Sequence, residues 1–184
     1  RDRATDERCT FVEGTAADLA PDSADVVVSG LVLNFVPDAS AALAAMAVAG
    51  RGGTVASYIW DYAGGHQMLS TFWDAAVGLD AAAAPLHEAV RFPDWGIDRL
   101  VGLAEEAGLG SVETTSLTVS STYDDADALW APLLGGTGPA PGYVASLDDE
   151  HREALRDRWL TSLPARPDGS IQLTATAYAV RGRA

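Results

Sequence analysis

The hydrophobic pattern of the chain predicts strands of two kinds. Residues 24–29 read ADVVVS, and the valines follow one another without polar alternation, which is typical of a parallel-sheet strand covered on both faces. Residues 111–121 and 170–180 alternate apolar with polar positions, which predicts two further strands. Two further strands are predicted at residues 9–14 and 54–60. The pattern therefore indicates five strands spread along the whole chain.

Between these strands, apolar residues recur at helical spacing. Asp38 precedes an alanine-rich run over residues 39–49 and suits the N-cap position of that helix. Gly108 is placed to end a helix that begins near Ile97. Further helices are predicted over residues 68–77 and 124–134. A capping box at 146–149 predicts the start of a last helix, which runs through Leu163. Residues 80–93 and 135–142 are predicted to be loops.

The order of these elements indicates the fold class. Residues 24–60 read as a strand–helix–strand unit whose crossover is long enough for parallel pairing. The C-terminal half ends in alternating strands, which suit an antiparallel pair at a sheet edge. We therefore expect an α/β fold with a partial Rossmann-like, mostly parallel sheet and an antiparallel C-terminal strand, formed by residues 1–184 as a single domain.

Composition narrows the class of protein. The 184 residues are 48% hydrophobic and 21% charged, which suits a soluble globular domain. The net charge is −14, and the twelve basic residues are all arginines without a basic run, which argues against nucleic acid and anionic membranes as partners. Cys9 is the single cysteine, and residues 1–10 lack the apolar core of a secretory signal, so a cytoplasmic location is expected. Neither histidines nor carboxylates show metal-ligand spacing on one element, so no metal is expected.

Small residues follow the predicted strands. In open α/β sheets, ligands bind beyond the carboxyl ends of the strands. Those ends are residues 14–17 (GTAA), 29–31 (SGL) and 60–62 (WDY). Small side chains there would let a ligand approach the backbone closely, although an ordinary strand–helix turn explains them equally well.

A longer run of residues resembles a known family. Gly14, Ala16 and Leu19, then Asp25-Val26-Val27, then Leu33 and Pro37-Asp38, and finally Arg51-Gly52-Gly53 follow the order and spacing found in class I S-adenosylmethionine-dependent methyltransferases. The segments at residues 127–147 and 163–180 are also similar to a bacterial branch of that family. The resemblance covers most of the chain and implies methyl transfer from S-adenosylmethionine to a small-molecule acceptor.

The resemblance also implies the cofactor-binding residues. It places Thr15, Ala16 and Ala17 near adenine, and it places Ser29, Gly30 and Leu31 near the methionine end, with Asn34 lining the same pocket. Several positions depart from the family pattern. Thr15 stands where the family has an acidic residue that binds the adenine amino group, and Asn34 stands where it has a histidine.

The glycine-rich loop of the family has no counterpart here. No G-x-G-x-x-G motif occurs in the sequence, and the first two strands of the family find no match before Phe11. Three accounts are open: a fragment of a longer enzyme, a dimer formed across an exposed strand edge, or a natural half-domain that no longer catalyses. The fragment is favoured because residue 1 falls within a polar connector.

Candidate catalytic residues follow the strand at residues 54–60. Asp61 and His66 are hypothesised to be general bases, needed only where the acceptor must lose a proton. A turn role for Asp61 and a solvated loop position for His66 are the structural alternatives. Two other functions are open: a nicotinamide-dependent oxidoreductase on a related sheet, and a non-catalytic binding or interaction module with the same fold.

Overall fold

The computed structural model describes residues 7–135, 137–164 and 166–184. Four strands form one sheet in the order β1-β2-β4-β3, and they are β1 (Val26–Gly30), β2 (Thr54–Trp60), β3 (Gly110–Tyr123) and β4 (Ile171–Arg183). β1 and β2 are parallel, and β4 runs antiparallel to both of its neighbours. Three strands therefore share one direction and the C-terminal strand is reversed, which confirms the predicted sheet.

Helices connect the strands and cover parts of the sheet. In the described ranges they are α1 (Ala39–Ala49), α2 (Gln67–Leu79), α3 (Glu88–Arg91), α4 (Ile97–Glu106), α5 (Ala126–Gly135), α6 (Pro139–Ser146) and α7 (Asp149–Ser162). Short 3₁₀ helices occur at Ala16–Asp18, Leu33–Phe35 and Ala81–Leu86. None of the helices in these ranges is long and apolar enough to cross a membrane.

Local signals set the ends of α1 and α4 as expected. An Asp38 carboxylate oxygen accepts a hydrogen bond from the backbone N–H of Ala41 at 2.8 Å, which caps α1. Gly108 adopts a φ of +77° after α4. Its N–H and that of Leu109 donate to the carbonyls of Glu105 and Ala104, at 2.9 and 3.0 Å, and this pair of bonds is a Schellman motif.

Two apolar clusters hold the fold together. In the first, α1 and α4 pack on one face of the sheet, where Val55 and Ile59 of β2 are fully buried. In the second, α2 and α5–α7 surround the first part of β4, with Trp73 and Trp159 fully buried. The indole N–H of Trp159 donates to the Thr71 hydroxyl at 2.9 Å, so its buried polar atom is satisfied.

Residues 9–14 and β1 differ from the prediction. Residues 9–14 form no strand, and Val12 is 84% exposed. A strand needs a hydrogen-bonded neighbour, and among the described residues β1 pairs only with β2. The prediction that β1 is covered on both faces is also wrong, because Val26 and Val28 are 60% and 57% exposed while Val27 packs against the first cluster.

Two predicted loops contain helices. Residues 80–93 hold the 3₁₀ helix Ala81–Leu86 as well as α3, and residues 135–142 include the start of α6. Gly138 and Pro139 read as loop residues, yet proline suits the first turn of a helix, where its missing N–H costs no hydrogen bond. The helix predicted from a capping box at 146–149 begins later in the structure. Asp148 is the N-cap of α7, and its side chain accepts from the N–H of His151 at 2.9 Å.

The exposed edge of β1 predicts association of two copies of the chain. An apolar strand without a partner on one side is a template for pairing. We expect the protein to sediment as a dimer and Val28→Lys to sediment as a monomer, because a lysine on an edge strand opposes pairing. Val90→Lys is the matched control, since Val90 is 60% exposed, close to the 57% of Val28, but lies on α3. A monomeric wild type would refute pairing through β1.

Candidate functional site

A cavity of about 690 Å³ lies beside the carboxyl end of β1. Its walls come from residues 14–17, the last residues of β1, the 3₁₀ helix Leu33–Phe35 and the side of α1 that carries Ala41 and Ala42. The lining is mainly apolar, and the polar side chains on it are those of Thr15, Ser29 and Asp38. A concave, mostly apolar site with a few polar groups is typical of small-molecule and cofactor binding.

Five of the predicted cofactor-binding residues line this cavity: Thr15, Ala16, Ala17, Ser29 and Gly30. Two separate parts of the chain therefore meet at one site. Residues 14–17 reach it although residues 9–14 form no strand. Asp38 caps α1 and so fixes the start of that helix beside β1, and α1 therefore forms one wall of the cavity.

Thr15 is held by a carboxylate that the sequence analysis overlooked. The backbone N–H and the hydroxyl of Thr15 both donate to Asp18 Oδ2, at 2.7 and 2.9 Å. These hydrogen bonds, the backbone one first, lower the pKa of Asp18. The spacing T-x-x-D is a capping-box signal and could have identified Asp18. A hydroxyl oxygen has two lone pairs, so the Thr15 oxygen can also accept a hydrogen bond from a ligand.

Gly30 has a second reason to be small. A Cβ on Gly30 would lie 2.5 Å from the Tyr58 hydroxyl and 2.7 Å from Cζ of the same ring. Gly30 faces Tyr58 in the parallel register of β1 and β2. The glycine therefore makes room for a tyrosine ring, whereas the sequence suggested room for a ligand or a turn.

The other two predicted cofactor residues, Leu31 and Asn34, do not line the cavity. Leu31 has a φ of +59°, a strained conformation for a residue with a Cβ, and its N–H donates to the carbonyl of Tyr58 at 2.8 Å. Asn34 is 7% exposed, and neither Nδ2 nor Oδ1 of its side chain has a hydrogen-bond partner. Asn34 thus faces the interior, beside the Tyr62 hydroxyl.

Asp61 is engaged in the structure of its own turn. Its Oδ1 accepts from the N–H of Ala63 at 3.0 Å, and its Oδ2 accepts from the Tyr178 hydroxyl at 2.9 Å. This second bond is the main reason why the pKa of Tyr178 is raised. Asp61 lines a separate groove of about 320 Å³ formed with residues 93–99, and no residue of that groove lines the cavity beside β1.

His66 is the N-cap of α2. Its Nδ1 accepts from the N–H of Leu69 at 3.4 Å, and its ring packs edge-on against Trp60 with 5.0 Å between centroids. Burial lowers the pKa of His66, which favours the neutral ring that a general base needs. The Asp61 carbonyl accepts from the His66 N–H at 3.1 Å, so the two candidates are linked through the backbone.

Sequence analysis missed a group of buried polar side chains next to these elements. Tyr62 and Glu88 are 6% and 4% exposed, and Trp73 is fully buried. Burial is the largest cause that raises the pKa of Tyr62 and of Glu88, with a smaller raising effect of Glu88 on Tyr62 and a lowering effect of Trp73 on Glu88. A glutamate in a segment read as a loop gives no sequence signal of burial. Among the described residues, no group of three or more side chains is arranged to hold a metal ion.

Three solved structures are similar to this chain. A protein of Anabaena variabilis, assigned as a methyltransferase of an antibiotic biosynthesis pathway, is 15% identical with a TM-score of 0.58, over 96% of this chain and 74% of that one. A protein of Bacillus halodurans assigned as a methyltransferase is 10% identical with a TM-score of 0.50, over 96% and 78%. The YcgJ protein of Bacillus subtilis is 14% identical with a TM-score of 0.50, over 95% and 71%.

These similarities identify the fold. The chain has the Rossmann-like fold of the class I S-adenosylmethionine-dependent methyltransferases, as the sequence resemblance predicted. In this chain the reversed strand β4 lies between β2 and β3. No protein-family model and no curated protein sequence matches the chain.

Glu88 predicts a pH dependence of stability. Burial, the largest cause, raises the pKa of Glu88, so the folded state binds the proton more tightly than the unfolded state does. The free energy of unfolding should therefore fall as the pH rises from about 4 through the raised pKa. Glu88→Gln removes this dependence, so the variant should gain stability relative to the wild type as the pH increases.

Urea unfolding at a series of pH values measures this difference. Glu153→Gln, on an exposed position of α7, controls for the loss of one negative charge. A constant difference between the wild type and Glu88→Gln across the pH range would contradict the prediction.

Proposed function

We propose that the protein binds S-adenosylmethionine in the cavity beside β1 and transfers its methyl group to a small-molecule acceptor. The observation that carries this proposal is the meeting of residues 15–17 with Ser29 and Gly30 around one apolar cavity, in a chain with a methyltransferase fold. The volume of about 690 Å³ falls within the usual range of about 300–1,000 Å³ for ligand sites.

The lining residues fit the nucleoside part of this cofactor. The apolar wall formed by Ala16, Ala17 and α1 suits an adenine ring, and the Thr15 oxygen can accept from its amino group. Asp38 uses Oδ1 to cap α1, which leaves its other carboxylate oxygen for a ribose hydroxyl. For the methionine end the sequence has no G-x-G-x-x-G loop, so Ser29 and the backbone of Gly30 are the groups proposed there.

Methyl transfer requires the protein mainly to position the methyl donor and the acceptor relative to each other. When bound, the cofactor would supply a methyl group on a sulfonium sulfur: the acceptor's lone pair would form the new bond to the methyl carbon while the carbon–sulfur bond breaks, and neutral S-adenosylhomocysteine would leave. The protein would hold the acceptor in line with that methyl group and exclude water, and both effects lower the barrier to transfer. The net charge of −14 favours a small acceptor over a polyanion such as nucleic acid.

Two alternatives predict other ligands. A nicotinamide-dependent oxidoreductase would bind NADH, but the reversed β4 is not expected in that sheet. A non-catalytic module with the same fold would bind neither cofactor.

Calorimetry with S-adenosylhomocysteine and with NADH separates these functions. We expect the wild type to bind S-adenosylhomocysteine but not NADH. Ala17→Trp fills the cavity and should weaken S-adenosylhomocysteine by about tenfold or more. Ala20→Trp is the control, since Ala20 is also exposed but lies outside the cavity lining. Binding of NADH alone would favour the oxidoreductase, and binding of neither ligand would favour the module.

The base hypothesis for Asp61 and His66 is tested with variants that keep their structural roles. Asp61→Asn keeps an oxygen that accepts from the N–H of Ala63 and brings an NH2 group that can donate to the Tyr178 hydroxyl, and His66→Asn keeps a side-chain acceptor that can cap α2. On whichever amine, phenol or thiol the wild type methylates, a general base predicts a loss of about 10²–10⁴-fold in kcat for Asp61→Asn or His66→Asn.

The matched controls are Asp157→Asn and His151→Asn, both on exposed positions of α7. An unchanged kcat in both Asp61→Asn and His66→Asn would remove the two residues from the mechanism. A loss in one variant alone would assign the role to that residue.

A further inference from the structure

The cavity beside β1 extends past the residues proposed for the cofactor. Those residues are 15–17, Asp38 and the last residues of β1. The turn that follows β1 adds apolar side chains to the same lining, among them Val32, Phe35 and Val36. This part of the lining is left without a proposed ligand when the cofactor is in place.

The turn presents Val32 and Phe35 on one side. The N–H of Phe35 donates to the carbonyl of Val32 at 2.8 Å, and side chains three residues apart in a 3₁₀ turn lie one above the other. Leu33, between them, is 1% exposed and belongs to the first apolar cluster, which anchors the turn. Phe35 and Val32 are instead 54% and 51% exposed. The turn therefore leaves two large apolar side chains at the cavity.

Contacts with other rings hold Phe35 in place. Its ring packs edge-on against Phe92, with 5.1 Å between centroids and 84° between the ring planes. Phe92 in turn packs against the ring of Tyr62 at 5.3 Å, and Tyr62 is 6% exposed. Phe35 is thus supported by a row of rings that ends in the interior. A ligand ring packed on Phe35 would extend this row, and such aromatic pairs contribute about 0.5–1.5 kcal/mol beyond burial.

The charges at the cavity favour an uncharged acceptor. Asp38 is the charged side chain on the described lining, and its Oδ1 caps α1. No basic side chain among the described residues lines the cavity, so a carboxylate or a phosphate would meet no counter-charge there. A cationic acceptor would be repelled by the sulfonium of the proposed cofactor.

We propose that Val32 and Phe35 form the acceptor subsite of this cavity and that the methyl acceptor is a neutral molecule with an aromatic ring. This inference rests on the proposed methyltransferase function. The ring would pack against Phe35, and its nucleophilic atom would point towards Ser29 and Gly30, where the methionine end of the cofactor is proposed. Because these four residues line one cavity, donor and acceptor would meet within a single space.

Calorimetry at neutral pH with 2-naphthol, on protein saturated with S-adenosylhomocysteine, tests this subsite. The wild type should bind 2-naphthol, and it should bind 2-naphthoate, which has the same rings and a negative charge, about tenfold more weakly or worse. Phe35→Ala should weaken 2-naphthol by about tenfold or more, because it removes the apolar surface under the ring. It should leave the affinity for S-adenosylhomocysteine unchanged. Phe35→Leu, which keeps an apolar side chain, should weaken 2-naphthol by a smaller factor.

Phe11→Ala is the matched control, since Phe11 is also 54% exposed but does not line the cavity. It should match the wild type for each ligand. With S-adenosylhomocysteine bound, three results would overturn the acceptor subsite alone: no binding of 2-naphthol, equal affinity for 2-naphthol in the wild type and Phe35→Ala, or 2-naphthoate bound as tightly as 2-naphthol. Failure of the wild type to bind S-adenosylhomocysteine would instead overturn the proposed function. Circular dichroism of Phe35→Ala and Phe35→Leu excludes loss of fold as the cause of weaker binding.

Discussion

The backbone contact between Gly53 and Asp25 fixes the register on which the candidate site depends. A Cβ on Gly53 would lie 2.2 Å from the carbonyl oxygen of Asp25, so only glycine fits there. Next to it, the N–H of Thr54 donates to the same carbonyl at 2.9 Å. This contact aligns the start of β2 with the start of β1, so that Gly30 comes to lie opposite Tyr58 at the other end. A shift of one residue would exchange the two faces of β1 and remove the cavity.

The two apolar clusters stabilise different parts of the fold. The cluster under α1 and α4 holds β2 in place and therefore supports the cavity. The cluster around Trp73 and Trp159 holds the helices that cover the first part of β4. Buried polar side chains occur in both regions, since Asn34 follows β1 whereas Trp73 belongs to the second cluster. Asn34 Nδ2, Asn34 Oδ1 and Trp73 Nε1 are buried without a hydrogen-bond partner, and in the protein interior an unmet hydrogen bond is costly.

Much of the fold could be predicted from the sequence, because several elements are specified by residues within or next to them. The valine run of β1, the cap at Asp38 and Gly108 each specify an element through its own residues. The helices at 81–91 and 139–146 escaped prediction because proline and alanine there resemble loop composition, and tertiary packing decides such segments. Coverage of β1 could not be predicted either, since the residues that would cover a strand are distant in the sequence.

The candidate site was only partly predictable for the same reason. Thr15 and Ser29 could be placed by the family resemblance, because they occupy fixed positions after predicted strands. The inward orientation of Asn34 and the burial of Glu88 depend on how a 3₁₀ helix and a four-residue helix pack, which no periodic pattern reports. The ring of Tyr58 beside Gly30 has a consequence of its own. Because a side chain and not the main chain fills that space, rotation about two single bonds could adjust the shape of this region while the sheet stays rigid, and ligands of different bulk could be accommodated.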